Sequence, residues 1–394
     1  MAPQVPASRA GTRPDVRFLV HGAERSGPPR YVLTLLTAWT ACPPAFRPSV
    51  VVARPGPLVP AFERVAPTTV ARLDRRSPEQ VGARALRAAR MDGAAAHLAD
   101  AATRRRVGDD VPALTVVNGA TAPTCALLRA LPHGRVVMVA HELSTGWFGN
   151  IDDADRSLLL STCERYLAVS EPVRDLLIDR LGVPSEVVEV VPPAIDLSER
   201  RAAGRGSGDG PVVVIGSGET DWRKAPELWL QAAALVRSMA PDLDIRFRWF
   251  GGATTSEPAA WPLRHEVDHL ALGDRVEFLG PVPSPWPVLA GADLYATAAR
   301  EDAAPMACSE AAAAGLPVVT FDVGGAADLV RDGRCGRVIP YPLVTEFAGA
   351  VVELARDPEL RSEMGRRGAA HVEARQEAGV VAGRVEAWLM GSLT

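Results

Sequence analysis

The chain carries 43 Lys and Arg residues, and only Lys224 is a lysine. It stands in GSGETDWRKAPELW, residues 216–229, beside Arg223. A composition dominated by Ala, Arg, Gly, Pro and Val accounts for the missing lysines but not for the one that is kept. An ammonium is a compact point charge on a flexible stem, and a guanidinium is a rigid, flat fork, so a site that fits one does not fit the other. A strand-like run ends at Gly216, Gly218 follows in a loop, and a helix is expected from about Ala225. Gly216 and Gly218 let the backbone come close to a ligand, Asp221 can cap, and two cations stand before free helix amides. That combination suits a phosphate. Taken alone, the same stretch reads equally as a turn with two surface cations.

The second constellation is AAREDAAPMACSEAAAAGLPVVTFDVGG, residues 298–325. Asp302 precedes a short loop, and Pro305 suits a first helical turn, where a missing N–H is no loss. The amides of Met306 and Ala307 then lack partners within the helix. Glu310 lies further along the same helix, and Gly315 closes it. Two carboxylates flanking a helix N-terminus can hold hydroxyls while the amides hold an anion, and a sugar nucleotide offers both groups. Singly, Asp302 reads as a cap and Glu310 as a solvated helix residue.

These residues need a scaffold. A chain of 394 residues predicts two domains. Apolar runs alternate with helical patterns, the signature of parallel α/β layers. Strands are expected at 16–22, 48–54, 114–119, 135–141, 166–170 and 188–193, with helices at 30–41, about 79–105 and 172–182, the last ending on a Gly suited to C′. The alternation restarts with strands at 211–218, 245–252, 276–282, 294–299, 316–322 and 336–341. Helices are expected near 225–239, 259–271, 305–314, 343–356 and 372–390. This predicts an N-terminal Rossmann-like domain over 1–196, a linker over 197–210, a second such domain over 211–371, and a C-terminal helix in 372–394 that packs back on the first domain. The two domains are expected to face each other across a cleft. Ligands in such sheets bind beyond the carboxyl ends of the strands, where both constellations fall.

A net charge of −4 gives no electrostatic footprint for nucleic acid. Five scattered cysteines without ligand spacing (Cys42, Cys125, Cys163, Cys308 and Cys335) predict free thiols in a cytoplasmic protein. The first residues lack the order of a signal peptide, and no apolar run has transmembrane length.

The acid-x7-acid spacing of Asp302 and Glu310, with EAAAAGLPVV after it, resembles the family-4 glycosyltransferases, retaining enzymes of the GT-B fold. Arg300-Glu301-Asp302 is similar to the RED of one branch, and Gly324-Gly325-Ala326-Ala327-Asp328 to its GG-x-x-E pattern. The 25–30 stretch RSGPPR and His141-Glu142 after the fourth strand fit as well, so the resemblance runs over nearly the whole chain. It implies that Lys224 binds the donor diphosphate with Arg223 beside it. Glu310 would hold the ribose hydroxyls and Asp302 would stand near the donor sugar. Met306 and Ala307 amides would contact sugar or phosphate, His141 would sit near the transferred sugar, and Gly27 and Gly218 would allow close approach to phosphates. Asn118 and Thr121 are acceptor-side candidates. No metal or other cofactor is expected, the nucleoside-diphosphate sugar being a substrate. The acceptor would be a small molecule, such as a secondary metabolite, or a cell-surface glycan precursor.

Departures from the family pattern are an Arg replaced by Glu219 five positions before the lysine, and Ala225 for the following Gly, expected to be mild. Ala303-Ala304 stands for Pro-Phe. A nucleotide-sugar epimerase of the same fold, and an idle nucleotide-sugar-binding homologue acting as a subunit or regulator, remain open alternatives. Trp147 and Trp222 are expected to pack rather than to receive a sugar.

Overall fold

The computed structural model describes residues 13–73, 81–82, 85–86, 88, 90–202, 210–254, 256–257 and 260–394. Half of the expected linker, 203–209, and parts of the expected helix 79–105 lie outside the described residues, as does the N-terminal stretch 1–12. Backbone proximity divides the chain into two compact units. One comprises Met1–Ala140, Asn150–Leu167 and Ala382–Thr394, and the other His141–Gly149 with Ala168–Val381.

Seven strands form the first sheet: β1 (Asp15–Val20), β2 (Arg47–Val52), β3 (Thr68–Val70), β4 (Leu114–Asn118), β5 (Arg135–Ala140), β6 (Arg165–Ala168) and β7 (Val188–Val190). Their order is β3-β2-β1-β4-β5-β6-β7, and the pairings from β3 to β5 are parallel. Short β3 has too little apolar pattern to stand out in sequence. Within the first unit, Trp39 packs edge-on against Phe46 at 5.1 Å. The Arg165 guanidinium lies 5.7 Å from the Trp388 ring and donates to Ser392 Oγ at 3.0 Å, which ties down the C-terminal residues.

The second sheet comprises β8 (Val212–Ser217), β9 (Ile245–Phe250), β10 (Val276–Gly280), β11 (Leu294–Thr297), β12 (Val318–Phe321) and β13 (Gly336–Ile339). It is parallel throughout, in the order β10-β9-β8-β11-β12-β13. This is the doubly wound order, whose direction reverses between β8 and β11. Both faces are covered: Val214 joins a core with Trp229, Phe247 and Trp249, while its neighbour Ile215 joins another with Tyr295 and Met306. Strands buried on both sides read as continuous apolar runs, which is why they were legible.

The single helix expected at 372–390 is instead two, Pro358–Arg375 and Ala378–Gly391. The chain turns between them because Ile195 takes the backbone there: its amide donates to Gln376 O at 2.7 Å and its carbonyl accepts from Ala378 N at 3.1 Å. Among the described residues no helix is long and apolar enough to cross a membrane.

Candidate active site at the β8 and β11 ends

Because β8 and β11 are neighbours at the reversal point, the loops that follow them meet. Lys224 comes from the first loop and Asp302 from the second, and the ammonium is ion-paired to Asp302 Oδ2. Their side chains are only 13% and 11% exposed. Arg223 Nη1 stands 3.8 Å from the other carboxylate oxygen. Two cations therefore converge on one acid, while Glu219, at the family's arginine position, is exposed.

Backbone contacts weld the loops together. Arg223 O accepts from Arg300 N at 2.8 Å, and Arg300 Nη1 donates to Trp222 O at 2.8 Å. The Arg300 guanidinium also lies over the exposed Trp222 ring at 5.4 Å and pairs with Glu227 at 2.6 Å. Asp221 does not cap the helix. Its carboxylate accepts from Lys224 N at 2.9 Å and so orders the loop, and the helix Pro226–Met239 starts from Ala225. Ala225 takes φ 49° and ψ 53°, the left-handed region, so the change from the family's glycine carries strain and is not mild.

The glycines divide by role. A Cβ at Gly216 would fall 2.7 Å from the Trp249 ring and 2.9 Å from Trp229 Nε1, so this glycine makes room for core tryptophans rather than for a ligand. Gly218, at φ 135°, has the Lys224 stem against it: a Cβ there would stand 2.9 Å from Lys224 Cγ and Cδ. Gly324, at φ 60°, lies beneath the acid loop, where a Cβ would fall 1.7 Å from Asp302 O. Gly325 N donates to Ala303 O at 3.0 Å, so the glycine pair supports the Asp302–Ala303 backbone.

The helix Met306–Ala313 begins after Pro305, whose carbonyl accepts from Cys308 N at 3.0 Å. Met306 and Ala307 are thus the first-turn amides, the ones a helix leaves without an internal acceptor. Glu310 is 3% exposed on the same helix, so it is not the solvated residue that it could have been. Beneath the ion pair runs a buried polar chain: Ser217 Oγ is 2.7 Å from Tyr295 Oη, and the Cys308 thiol is the phenol's other partner. Burial pushes both the phenol and the thiol well above their ordinary values, so they stay neutral.

The remaining candidates lie on other elements. His141 opens the His141–Gly149 segment after β5, with its backbone amide donating to Glu142 Oε2 at 3.1 Å. Gly27 begins the helix Gly27–Ala41, and a Cβ there would meet nothing within 4 Å. Asn118 is buried at the end of β4 and donates to Pro28 O at 3.0 Å. Thr121 caps the helix Ala122–Ala130 in a reciprocal box with Thr124. Both acceptor-side candidates thus make structural bonds, Thr121 within its own helix start and Asn118 across 90 positions. Trp147 is fully buried. Sequence reading missed Glu301, whose carboxylate accepts from Thr145 N at 3.0 Å; the RED tripeptide before the acid motif was its only signal.

The expectation of no metal goes with an absent Asp-x-Asp pattern, with which many glycosyltransferases hold a metal, but the sequence contains two such triplets. Asp153 and Asp155 pair with Arg156 and Arg129. Asp242 pairs with Arg356 at 2.7 Å, and Asp244 with Arg246 at 2.9 Å and Arg275 at 3.0 Å. Each is already neutralised by arginine. Among the described residues no group of three or more His, Cys, Asp or Glu could hold a metal ion.

The doubly wound sheet thus carries paired cations and an acid-x7-Glu helix at its reversal point, and two family models match the chain. Residues 25–199 match Glycosyltransferase Family 4, and residues 210–357 match Glycosyl transferases group 1. Together they take in most of the chain, and the chain belongs to the family-4 glycosyltransferases. It is 28% identical over 220 residues to the D-inositol 3-phosphate glycosyltransferase of Paenarthrobacter aurescens (strain TC1), covering 53% of each. With the enzyme of the same name from Nocardia farcinica (strain IFM 10152) it is 29% identical over 225 residues, 54% of this chain and 49% of the relative. The matches thus span about half the length of these curated relatives. Among solved structures, Alr3699/HepE from Anabaena in complex with UDP-glucose is similar in fold, with a TM-score of 0.71 and 17% identity over 96% of this chain and 100% of that one. The GT-B fold is thereby shared.

Proposed function

We propose that the protein transfers a sugar from a nucleoside-diphosphate sugar to an acceptor hydroxyl, with retention of anomeric configuration and without a metal. The observation that carries this reading is the convergence of Lys224 and Arg223 on the loop preceding the Met306–Ala313 helix. In the reaction the bond between the anomeric carbon and the phosphate oxygen breaks, and its electron pair leaves with the diphosphate. Preorganised donors at that growing charge supply the largest help. Lys224, Arg223 and the Met306 and Ala307 amides are such donors. The acceptor oxygen attacks on the face that the diphosphate leaves, and its proton passes to the leaving phosphate.

Glu310 is assigned to the ribose hydroxyls, Asp302 and His141 to the sugar, and Gly27 and Gly218 to close approach of phosphate. Acceptor recognition is assigned to the N-terminal half, residues 1–196, and donor recognition to 211–371, with Asn118 and Thr121 shaping the acceptor side. The acceptor is a small molecule or a glycan precursor, and a phosphorylated cyclitol is one to test, since the similar enzymes are D-inositol 3-phosphate glycosyltransferases. Five cysteines, none of them in a disulfide, agree with a reducing, cytoplasmic setting.

Calorimetric titration with UDP, GDP, ADP and dTDP tests the donor site, beside Lys224→Arg and Glu310→Ala. One nucleotide is expected to bind, with affinity falling at least tenfold in each variant. Affinity unchanged in both variants, or no binding of any nucleotide, overturns the assignment. Turnover of the matching sugar nucleotide then separates a transferase from an idle binder.

A further inference from the structure

Glu301 links two parts of the candidate site's wiring. Its backbone belongs to the lysine loop: its amide approaches Arg223 O at 3.5 Å, and its carbonyl accepts from Arg223 Nη1 at 3.5 Å. Its side chain turns elsewhere. Both carboxylate oxygens accept from Thr145 N, at 3.0 and 3.3 Å, across 156 positions.

Thr145 is the first residue of the π-helical turn Thr145–Asn150, where a backbone amide has no acceptor within the helix. Such an end is ordinarily capped by a neighbouring side chain. Here the acceptor comes from far along the chain and carries a negative charge, which suits a helix N-terminus. The segment His141–Gly149 clusters with the second unit, as Glu301 does, although it emerges from β5 of the first sheet. Trp147 in the same turn is fully buried. The Glu301 bond is therefore a polar link joining His141–Gly149 to the loop that carries Asp302.

We propose that Glu301 is a positioning residue: by capping Thr145 it holds the His141 segment in register with the Lys224–Asp302 loop. Its catalytic consequence rests on the proposed transfer reaction, but the latch itself does not. The Oε1 acceptor is what matters, so Glu301→Gln keeps the link and Glu301→Ala removes it.

Hydrogen exchange by mass spectrometry on peptides spanning 141–149 tests the latch without any nucleotide. Exchange in Glu301→Ala is expected to rise at least tenfold, with Glu301→Gln within about threefold of wild type. Peptides from the helix Pro226–Met239 should be unchanged, which excludes global unfolding. Unchanged exchange in Glu301→Ala, or Glu301→Gln exchanging as fast as Glu301→Ala, overturns the proposal. Where calorimetry with UDP, GDP, ADP and dTDP identifies a nucleotide, Glu301→Ala should keep its Kd within twofold and lose kcat about tenfold, restored by Glu301→Gln. A lost Kd would instead place Glu301 in the donor site and overturn the positioning role. If none of these nucleotides binds, the transfer reading fails and the exchange result alone decides the latch.

Discussion

The ammonium of Lys224 ends on the carboxylate of Asp302, 78 positions further along the chain. The pair forms because β8 and β11 are adjacent, and it is nearly withdrawn from water. With Arg223 at 3.8 Å, two cations stand against one carboxylate, an arrangement that suits the anion assigned to this site under the proposed function.

Lys224→Met should leave Asp302 with only the distant Arg223. Stranding one partner of a buried pair costs about 3 kcal/mol, read as a shift in the urea midpoint. Adding Asp302→Asn should recover most of that loss. A double variant no more stable than Lys224→Met would show that the pair does not carry the effect.

Gly218→Ala combines a backbone at φ 135° with a Cβ pressed on the middle of the Lys224 stem. Strain and overpacking together predict a loss of about 2 kcal/mol. The side chain of Lys224 cannot yield without leaving Asp302, so nucleotide affinity should fall with stability. Calorimetry and thermal unfolding on the same sample check both.

Ala225→Gly should stabilise the fold. A left-handed conformation costs an L-residue roughly 1–2 kcal/mol, and glycine's greater freedom in the unfolded chain returns roughly 0.5–1 kcal/mol of that. A net gain of about 0.5–1 kcal/mol is expected in denaturant unfolding, and a loss would contradict the strain at Ala225.

Asp328 supplies a pH signature. Burial, then Asp332, raises its carboxyl above the ordinary value, with Glu171 and Asp175 adding to this and Arg331 opposing it. A carboxyl raised on folding binds more protons folded than unfolded. Its contribution to stability is therefore full below the unfolded value and lost as pH rises through the folded one. Asp328→Asn should stabilise the protein at pH 7, with the gain shrinking as pH falls toward the ordinary carboxylate range. Unfolding midpoints of both proteins across that range check the sign.

By itself the sequence determined what local pattern can carry. Strands announce themselves as apolar runs, most plainly where both faces are buried, and twelve of the described strands lie where alternation places them, from β1 at Asp15–Val20 to β13 at Gly336–Ile339. Helix starts at Pro226 and Met306 follow from proline and the residues around it. The acid-x7-Glu spacing sits within one loop and one helix, so it too was legible. Tertiary structure decided the rest, because those relations join residues with no fixed offset. That Lys224 meets Asp302 depends on strand order. The use of Gly216 for Trp229 and Trp249, the break at Gln376 against Ile195, and the capping of Thr145 by Glu301 depend on which distant backbone arrives. The left-handed turn at Ala225 is likewise imposed from outside, since alanine has no preference for it and only the docked loop requires it.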